Sequence, residues 1–243
     1  MNDYLKRTRS PWFSFLLVMP LLLLYQATTL LANWGEARSV VNGADALIQR
    51  LVHAVGVSGW LGSWLVLAAV AGIVVFRATP AKERKAPGGR DLFGAAVECA
   101  VYALVFGGIV ALISKTVLPG YGYLRSGVPL SLSLGQQVSS SLGAGLYEEL
   151  VFRLILLSGT AWALVKLGWK PAAALTTAAV ASSLLFSLFH YVGPLGEPFT
   201  LTSFTFRAVA GMLLAGLYVA RGFGIVAWTH ALYDLFLLVS GTA

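Results

Sequence analysis

Three polar patches interrupt the apolar second half of the chain, and each contains ionisable residues a few positions apart. Their members are Glu148, Glu149, Arg153, His190, His230 and Asp234. A charged side chain near the bilayer centre costs about 2.5–3.5 kcal/mol on insertion scales, so such residues indicate a functional site. Acid–base chemistry in an apolar site uses a group that takes up a proton and hydrogen-bond donors where negative charge develops. The three patches contain candidates for both.

The first patch contains one acid that can be neutralised and one that can stay free. In a helix Glu149 and Arg153 are four residues apart and share a face, so we expect them to pair. Glu148 points about 100° away from Glu149, because a helix has about 3.6 residues per turn. A free carboxylate in an apolar cavity suits a general base. We therefore predict that Glu148 is the base.

The elements that position these patches are predicted to be transmembrane helices. The chain has 243 residues, of which 58% are hydrophobic and 11% are charged, and its mean hydropathy is +0.79. A soluble domain averages about 25% charged residues. We predict an all-α, polytopic bundle with about seven spans and one amphipathic surface helix. The expected spans are 12–32, 57–76, 92–113, 138–167, 171–191, 204–220 and 225–240.

Two polar features outside the three patches are assigned structural roles. Apolar residues recur at helical spacing between positions 44 and 55, which predicts the amphipathic surface helix, with Asp45 on its polar, wet face. Glu98 is a lone acid within the third predicted span, and we favour a pairing with another residue of the core over a catalytic role.

Lysines and arginines decide the expected orientation. Most of them fall in loops on the side of the N-terminus, so we predict a cytoplasmic N-terminus and an outer C-terminus, in an inner or plasma membrane. The net charge of +7 is explained by these loops, and no nucleic-acid partner is expected. The inner residues are Lys6, Arg7, Arg9, Arg77, Lys82, Arg84, Lys85, Arg90, Lys166, Lys170 and Arg221. The outer residues are Arg38, Arg50, Lys115, Arg125 and Arg207.

The chain is interpreted as one integral membrane domain, residues 1–243, with a catalytic core at 140–238. Counting residues along the predicted spans places the two histidines of that core at different depths in the membrane. His190 falls near the outer end of its span, whereas His230 falls a turn or two from the inner end of its own. For both to reach Glu148, the helices must tilt, break or begin deeper than drawn.

The motifs EExxxR, FxxxH and HxxxD, in this order on three of the last four apolar segments, resemble the CPBP family. This family comprises CAAX-protease and bacteriocin-processing membrane proteins and is also called ABI. The resemblance covers about residues 140–238 and implies an intramembrane endopeptidase with a membrane-anchored peptide or protein as its substrate. It implies that Glu148 and His190 hold and activate a water molecule, and that Glu149 with Arg153 braces the site.

One residue departs from the family pattern. The resemblance implies that His230 and the residue four positions later stabilise the oxyanion, but many relatives have Asn where this chain has Asp234. An ionised aspartate cannot donate a hydrogen bond to an oxyanion. Two roles therefore stay open for Asp234. It either orients His230, as the carboxylate does in a Ser-His-Asp set, or donates as a neutral acid.

Other chemistries and functions remain as alternatives. Glu148, His190 and His230 would form a zinc-binding set of two histidines and a glutamate, although the chain has no HExxH motif. We favour a metal-free reaction without a cofactor. The alternative functions are a non-proteolytic membrane scaffold or immunity protein of the same fold and, after it, a proton-coupled transporter. A transporter often shows an internal repeat, and we find none in the sequence.

Overall fold

The computed structural model describes residues 3–35, 39–57, 60–117, 132–193 and 196–240. Every regular element among these residues is helical, which confirms the predicted all-α bundle. The α-helices are α1 (Asp3–Thr8), α2 (Pro11–Ala32), α3 (Gly43–Ala54), α4 (Trp60–Ala78), α5 (Gly89–Val117), α6 (Leu134–Gly143), α7 (Ser158–Lys166), α8 (Pro171–Phe189), α9 (Leu201–Arg221) and α10 (Phe223–Val239).

Helices occupy all seven positions where spans were predicted. Four of the described helices, α2, α5, α8 and α9, are long and apolar enough to cross a membrane. The helix α10 and the second half of α4 are apolar but shorter. The predicted fourth span corresponds to one continuous helix over 134–166, in which two π-helical segments, Ala144–Glu148 and Leu150–Leu157, lie between α6 and α7.

The helix α10 lies at the centre of the bundle, where it packs against α2, α5, α6, α9 and the π-helical segments. Small residues allow this approach. A Cβ atom added to Gly145 would lie 2.4 Å from the carbonyl oxygen of Ala227 and 2.6 Å from Cβ of Ala231. Helices in membranes associate through such close contacts between small residues. This packing brings the middle of α10 against the first π-helical segment.

A helix is present where the amphipathic surface helix was predicted, but part of its polar face is buried. Asn42 Oδ1 accepts a hydrogen bond of 2.9 Å from the backbone of Ala44 and caps α3. Asp45 is only 2% exposed and accepts a hydrogen bond of 2.6 Å from Tyr25. The prediction that Asp45 lies on the wet face is therefore wrong. Burial raises the pKa of the Asp45 carboxyl, and hydrogen bonds from Tyr25 and Gln49 oppose that rise.

The predicted structural role of Glu98 is confirmed by its contacts. Glu98 forms an ion pair with Arg221 at the end of α9, and it accepts a hydrogen bond of 2.7 Å from the Tyr4 hydroxyl. Arg221 also donates to the Thr8 hydroxyl at 2.7 Å. Because Tyr4 and Thr8 belong to α1, this network fastens the first helix to the bundle.

Candidate active site

The six residues singled out in the sequence come together around one side of α10. Four of them, Glu148, His190, His230 and Asp234, line a cavity of about 170 Å³. The other two, Glu149 and Arg153, lie behind its wall and are completely buried. Residues from α10, from the first π-helical segment and from the C-terminal end of α8 therefore meet at a single cavity.

The π-helical segments set the directions of the two glutamates. Glu148 ends the first segment, and Glu149 lies between the first and the second. Turns of π-helix are rare and often occur at functional sites. Glu148 contacts groups around the cavity, whereas Glu149 contacts Arg153 and α10. The two adjacent acids thus have different environments, as the helical spacing indicated, although the helix is π-helical here and not α-helical.

The predicted pair of Glu149 and Arg153 is present and is linked to α10. Arg153 Nε lies 3.1 Å from Glu149 Oε2. The guanidinium also donates to the carbonyl oxygen of Gly211 at 3.2 Å and lies 4.4 Å from the ring centroid of Phe186. The other oxygen of Glu149 accepts a hydrogen bond of 2.7 Å from His230 Nδ1. Glu149 therefore joins the arginine to one of the two cavity histidines.

Glu148 has one occupied and one available carboxylate oxygen. Its Oε1 accepts a hydrogen bond of 3.0 Å from Asn42 Nδ2. Its Oε2 accepts no hydrogen bond from the described part of the chain and lies 3.9 Å from His190 Nε2. His190 Nδ1 lies 2.8 Å from the carbonyl oxygen of Phe186. Since a carbonyl only accepts, Nδ1 carries a proton, and Nε2 of the neutral ring is an acceptor.

Asp234 lies near His230 without a direct hydrogen bond. Its Oδ2 is 3.8 Å from His230 Nε2, which exceeds the usual hydrogen-bond distance. The hydrogen bond that orients the ring is made by Glu149 on the opposite nitrogen. The geometry thus assigns the orienting contact to Glu149, and Asp234 faces the cavity beside the other nitrogen.

Two cavity residues were missed by the sequence reasoning. Asn42 was not singled out, although an Asn before an amphipathic helix is a recognisable helix cap. A helix cap predicts a contact for the side-chain oxygen of Asn42 but none for its amide nitrogen. That nitrogen donates to Glu148, which is 106 positions away in the sequence. Arg207 was counted among the charges of the outer side, near the start of the predicted span 204–220, and the structure shows that it lines the cavity from α9. No local pattern in the sequence marks that placement.

The zinc alternative involves Glu148, His190 and His230. Within the described ranges, no three His, Cys, Asp or Glu side chains are gathered as metal ligands. His230 has one nitrogen bonded to Glu149 and His190 has one bonded to a backbone carbonyl, and the other nitrogen of each ring lies near a cavity carboxylate. Such contacts to the second nitrogen are also usual for histidines that bind metals. Because the described side chains form no gathered set of ligands, we derive no step through a metal ion.

Comparison with known proteins identifies the family of the segment that carries these residues. Residues 130–236 match the family model described as Type II CAAX prenyl endopeptidase Rce1-like. The match confirms the resemblance suspected from the three motifs and includes all six residues. It supports a membrane endopeptidase of the CAAX type. Asn42 lies outside the matched segment. No curated protein and no solved structure matches the chain.

Proposed function

We propose that this protein hydrolyses a peptide bond of a membrane-anchored substrate with a water molecule held between Glu148 and His190. The observation that carries the proposal is the unoccupied Oε2 of Glu148, which lies 3.9 Å from His190 Nε2 at a largely buried cavity. Two acceptors at this separation can both lie within hydrogen-bond distance of one water molecule placed beside them.

This arrangement can activate the water without a metal ion. One O–H group of the water donates to Glu148 and the other donates to His190, which leaves an oxygen lone pair for attack on the substrate carbonyl carbon. Glu148 takes the proton as the new C–O bond forms. Asn42, which donates to the other oxygen of Glu148 at 3.0 Å, holds the carboxylate in this orientation.

His230 is the proposed donor to the oxyanion. Its Nδ1 proton is directed to Glu149, so Nε2 is the nitrogen that can donate into the cavity when the ring is protonated. Carboxylates on both sides, Glu149 at 2.7 Å and Asp234 at 3.8 Å, stabilise a positive charge on the ring. A positively charged donor stabilises the oxyanion more strongly than a neutral one.

Breakdown of the tetrahedral intermediate completes the reaction. The C–N bond breaks, and the proton held by Glu148 passes to the departing nitrogen, so the products are a carboxylic acid and a free amine. The acid then releases its remaining proton to solvent and becomes a carboxylate. Glu148 returns to its ionised form. The substrate is a membrane-anchored CAAX-like peptide, a pro-peptide or a C-terminal sorting tail, in an inner or plasma membrane where the N-terminus of the enzyme is cytoplasmic.

The experiment compares membranes that contain the wild-type protein, Glu148→Gln or Glu83→Gln. Glu83 is exposed in the loop after α4, so it controls for the loss of one carboxylate. Mass spectrometry of peptide termini should find termini that depend on the wild-type protein, persist with Glu83→Gln and disappear with Glu148→Gln. The same termini in membranes with Glu148→Gln would refute the proposed reaction and favour a scaffold or immunity function.

A second experiment tests the metal-free proposal. The purified protein is dialysed against a strong chelator and then assayed on a peptide that spans the site found in the membrane comparison. We expect unchanged cleavage, because every group in the proposed reaction is supplied by the chain. Loss of cleavage that returns only with added zinc would contradict the metal-free reaction.

A further inference from the structure

Arg207 is a buried cation on the wall of the cavity that the proposed reaction does not use. It is only 8% exposed, and it lines the same cavity as Glu148 and His190. A buried charge is costly unless an opposite charge and hydrogen bonds compensate it. The partners of Arg207 therefore indicate which kind of ligand this part of the cavity accepts.

The charged partner of Arg207 is a carboxylate on a loop. Arg207 Nη2 donates to Glu197 Oε1 at 2.7 Å. Its Nη1 donates to the hydroxyls of Ser203 and, at 3.4 Å, Tyr191. The two hydroxyls orient the guanidinium but do not neutralise it. Among the described residues, Glu197 is the acid that contacts Arg207 directly, so a carboxylate is the group that this site is built to hold.

Glu197 is also the partner that can be exchanged. Its side chain is 31% exposed, whereas that of Arg207 is 9% exposed. The loop is attached to the catalytic region, because the backbone N–H of Glu197 donates to the carbonyl oxygen of His190 at 3.0 Å. A carboxylate from a substrate can therefore replace the Glu197 side chain while the loop backbone stays bound beside His190.

We propose that Arg207 binds the free C-terminal carboxylate of the substrate, in the position that the Glu197 carboxylate occupies in the free enzyme. The planar guanidinium matches a carboxylate with paired hydrogen bonds, which suits recognition of a chain end. Arg207 lines the same cavity as Glu148 and His190, and the backbone of its partner Glu197 is hydrogen-bonded to His190, so a carboxylate held by Arg207 lies beside the catalytic pair. The scissile bond therefore lies close to the end of the substrate chain.

This inference rests on the proposed function and narrows its substrates to C-terminal tails. An internal pro-peptide site has no terminal carboxylate near the scissile bond and would leave Arg207 paired with Glu197. An acidic side chain of a substrate offers the same carboxylate chemistry as a chain end. The test must therefore vary the chain end alone.

The test uses two libraries of short degenerate peptides that differ only at the C-terminus, which is a free carboxylate in one and a carboxamide in the other. Protein reconstituted in vesicles is incubated with each library, and the products are measured by mass spectrometry. We expect the wild type to cleave the acid library about 10- to 100-fold faster, the factor typical of hydrogen bonds to charged groups. Arg207→Met should reduce the ratio of the two rates to about one.

Two further variants separate recognition from folding. The double variant Glu197→Gln with Arg207→Met removes both charges, leaves no unpaired ion and should also show a ratio of about one. Arg221→Met is the matched control, since Arg221 is another buried arginine of α9 that pairs with a glutamate, Glu98, but lies away from the cavity. Arg221→Met should keep the wild-type ratio.

The outcomes distinguish this inference from the proposed function. The carboxylate site is overturned if the wild type cleaves both libraries equally, or if Arg207→Met still prefers the acid library. Either result leaves the proposed peptidase reaction standing. If the wild type cleaves neither library, binding of the peptides to the Glu148→Gln protein is measured instead. Binding of the acid library alone, which disappears in the double variant Glu148→Gln with Arg207→Met, supports the carboxylate site even though the proposed reaction fails. Equal binding of both libraries, or no binding of either, overturns the inference.

Discussion

The contact between Gly145 and α10 provides the strictest test of how the site is assembled. A Cβ atom at position 145 would lie 2.4 Å from the carbonyl oxygen of Ala227 and 2.6 Å from the backbone nitrogen of Ala231. Non-bonded heavy atoms pack best at about 3.5–4.0 Å. Gly145→Ala therefore forces the first π-helical segment and α10 apart by about 1 Å.

The expected effect on catalysis is large because both sides of the site move. Glu148 follows Gly145 by three residues, and His230 precedes Ala231 directly. A misplacement of about 1 Å can cost about 100-fold in rate, so we expect Gly145→Ala to lower kcat/KM by about that factor. Overpacking of this kind costs about 1–3 kcal/mol of stability, so the melting temperature should fall as well.

The assay compares Gly145→Ala with Gly159→Ala. Both glycines lie in the helix over 134–166, and a Cβ atom at position 159 meets nothing within 4 Å. Both substitutions reduce the backbone entropy of the unfolded chain equally, which stabilises the folded protein by about 0.4–1 kcal/mol where alanine fits without strain. Their difference therefore measures packing against α10. Wild-type cleavage and an unchanged melting temperature for Gly145→Ala would refute the proposed assembly.

Three further substitutions test individual contacts. Arg153→Met should lower the free energy of unfolding by about 3–5 kcal/mol, because it leaves a buried carboxylate without its cation; an unchanged melting temperature in detergent would contradict this. In Asn42→Asp the new side chain can still cap α3, but a carboxylate oxygen, which only accepts, replaces the amide that donates to Glu148. Cleavage should therefore fall by about tenfold or more, and the acid limb of the pH–rate profile should move to higher pH. A lower rate with an unshifted profile would mean that Asn42 acts only as a cap. Asp234→Asn removes a negative charge 3.8 Å from His230 Nε2, so the alkaline limb should move to lower pH while cleavage at low pH persists. An unmoved alkaline limb would show that the Asp234 charge does not act on His230.

Local spacing and hydropathy predicted much of the bundle. Apolar runs placed helices at all seven expected positions, because burial of the backbone in lipid demands continuous helical hydrogen bonding. Spacing of four residues predicted the pair of Glu149 and Arg153, whose side chains lie one turn apart on one helix. The order of the motifs predicted the family resemblance that the match over 130–236 confirms.

Contacts between distant helices were decided only by the tertiary structure. Simple counting could not bring His190 and His230 to the same depth. In the folded chain α8 ends at Phe189, just before the first of these histidines, while the second lies in the middle of α10. A hydropathy profile describes how each residue partitions into lipid, and it contains no information about which faces of two helices meet.

The same limit explains the residues that were misplaced or missed. Asp45 looks like a wet residue because its neighbours in sequence are polar, yet Tyr25 of another helix supplies the hydrogen bond that makes its burial tolerable. Asn42 and Arg207 become parts of the cavity only when α3 and α9 pack beside the π-helical segments and α8. Periodicity determines which side chains share one helix face, whereas close packing at residues such as Gly145 determines which faces meet.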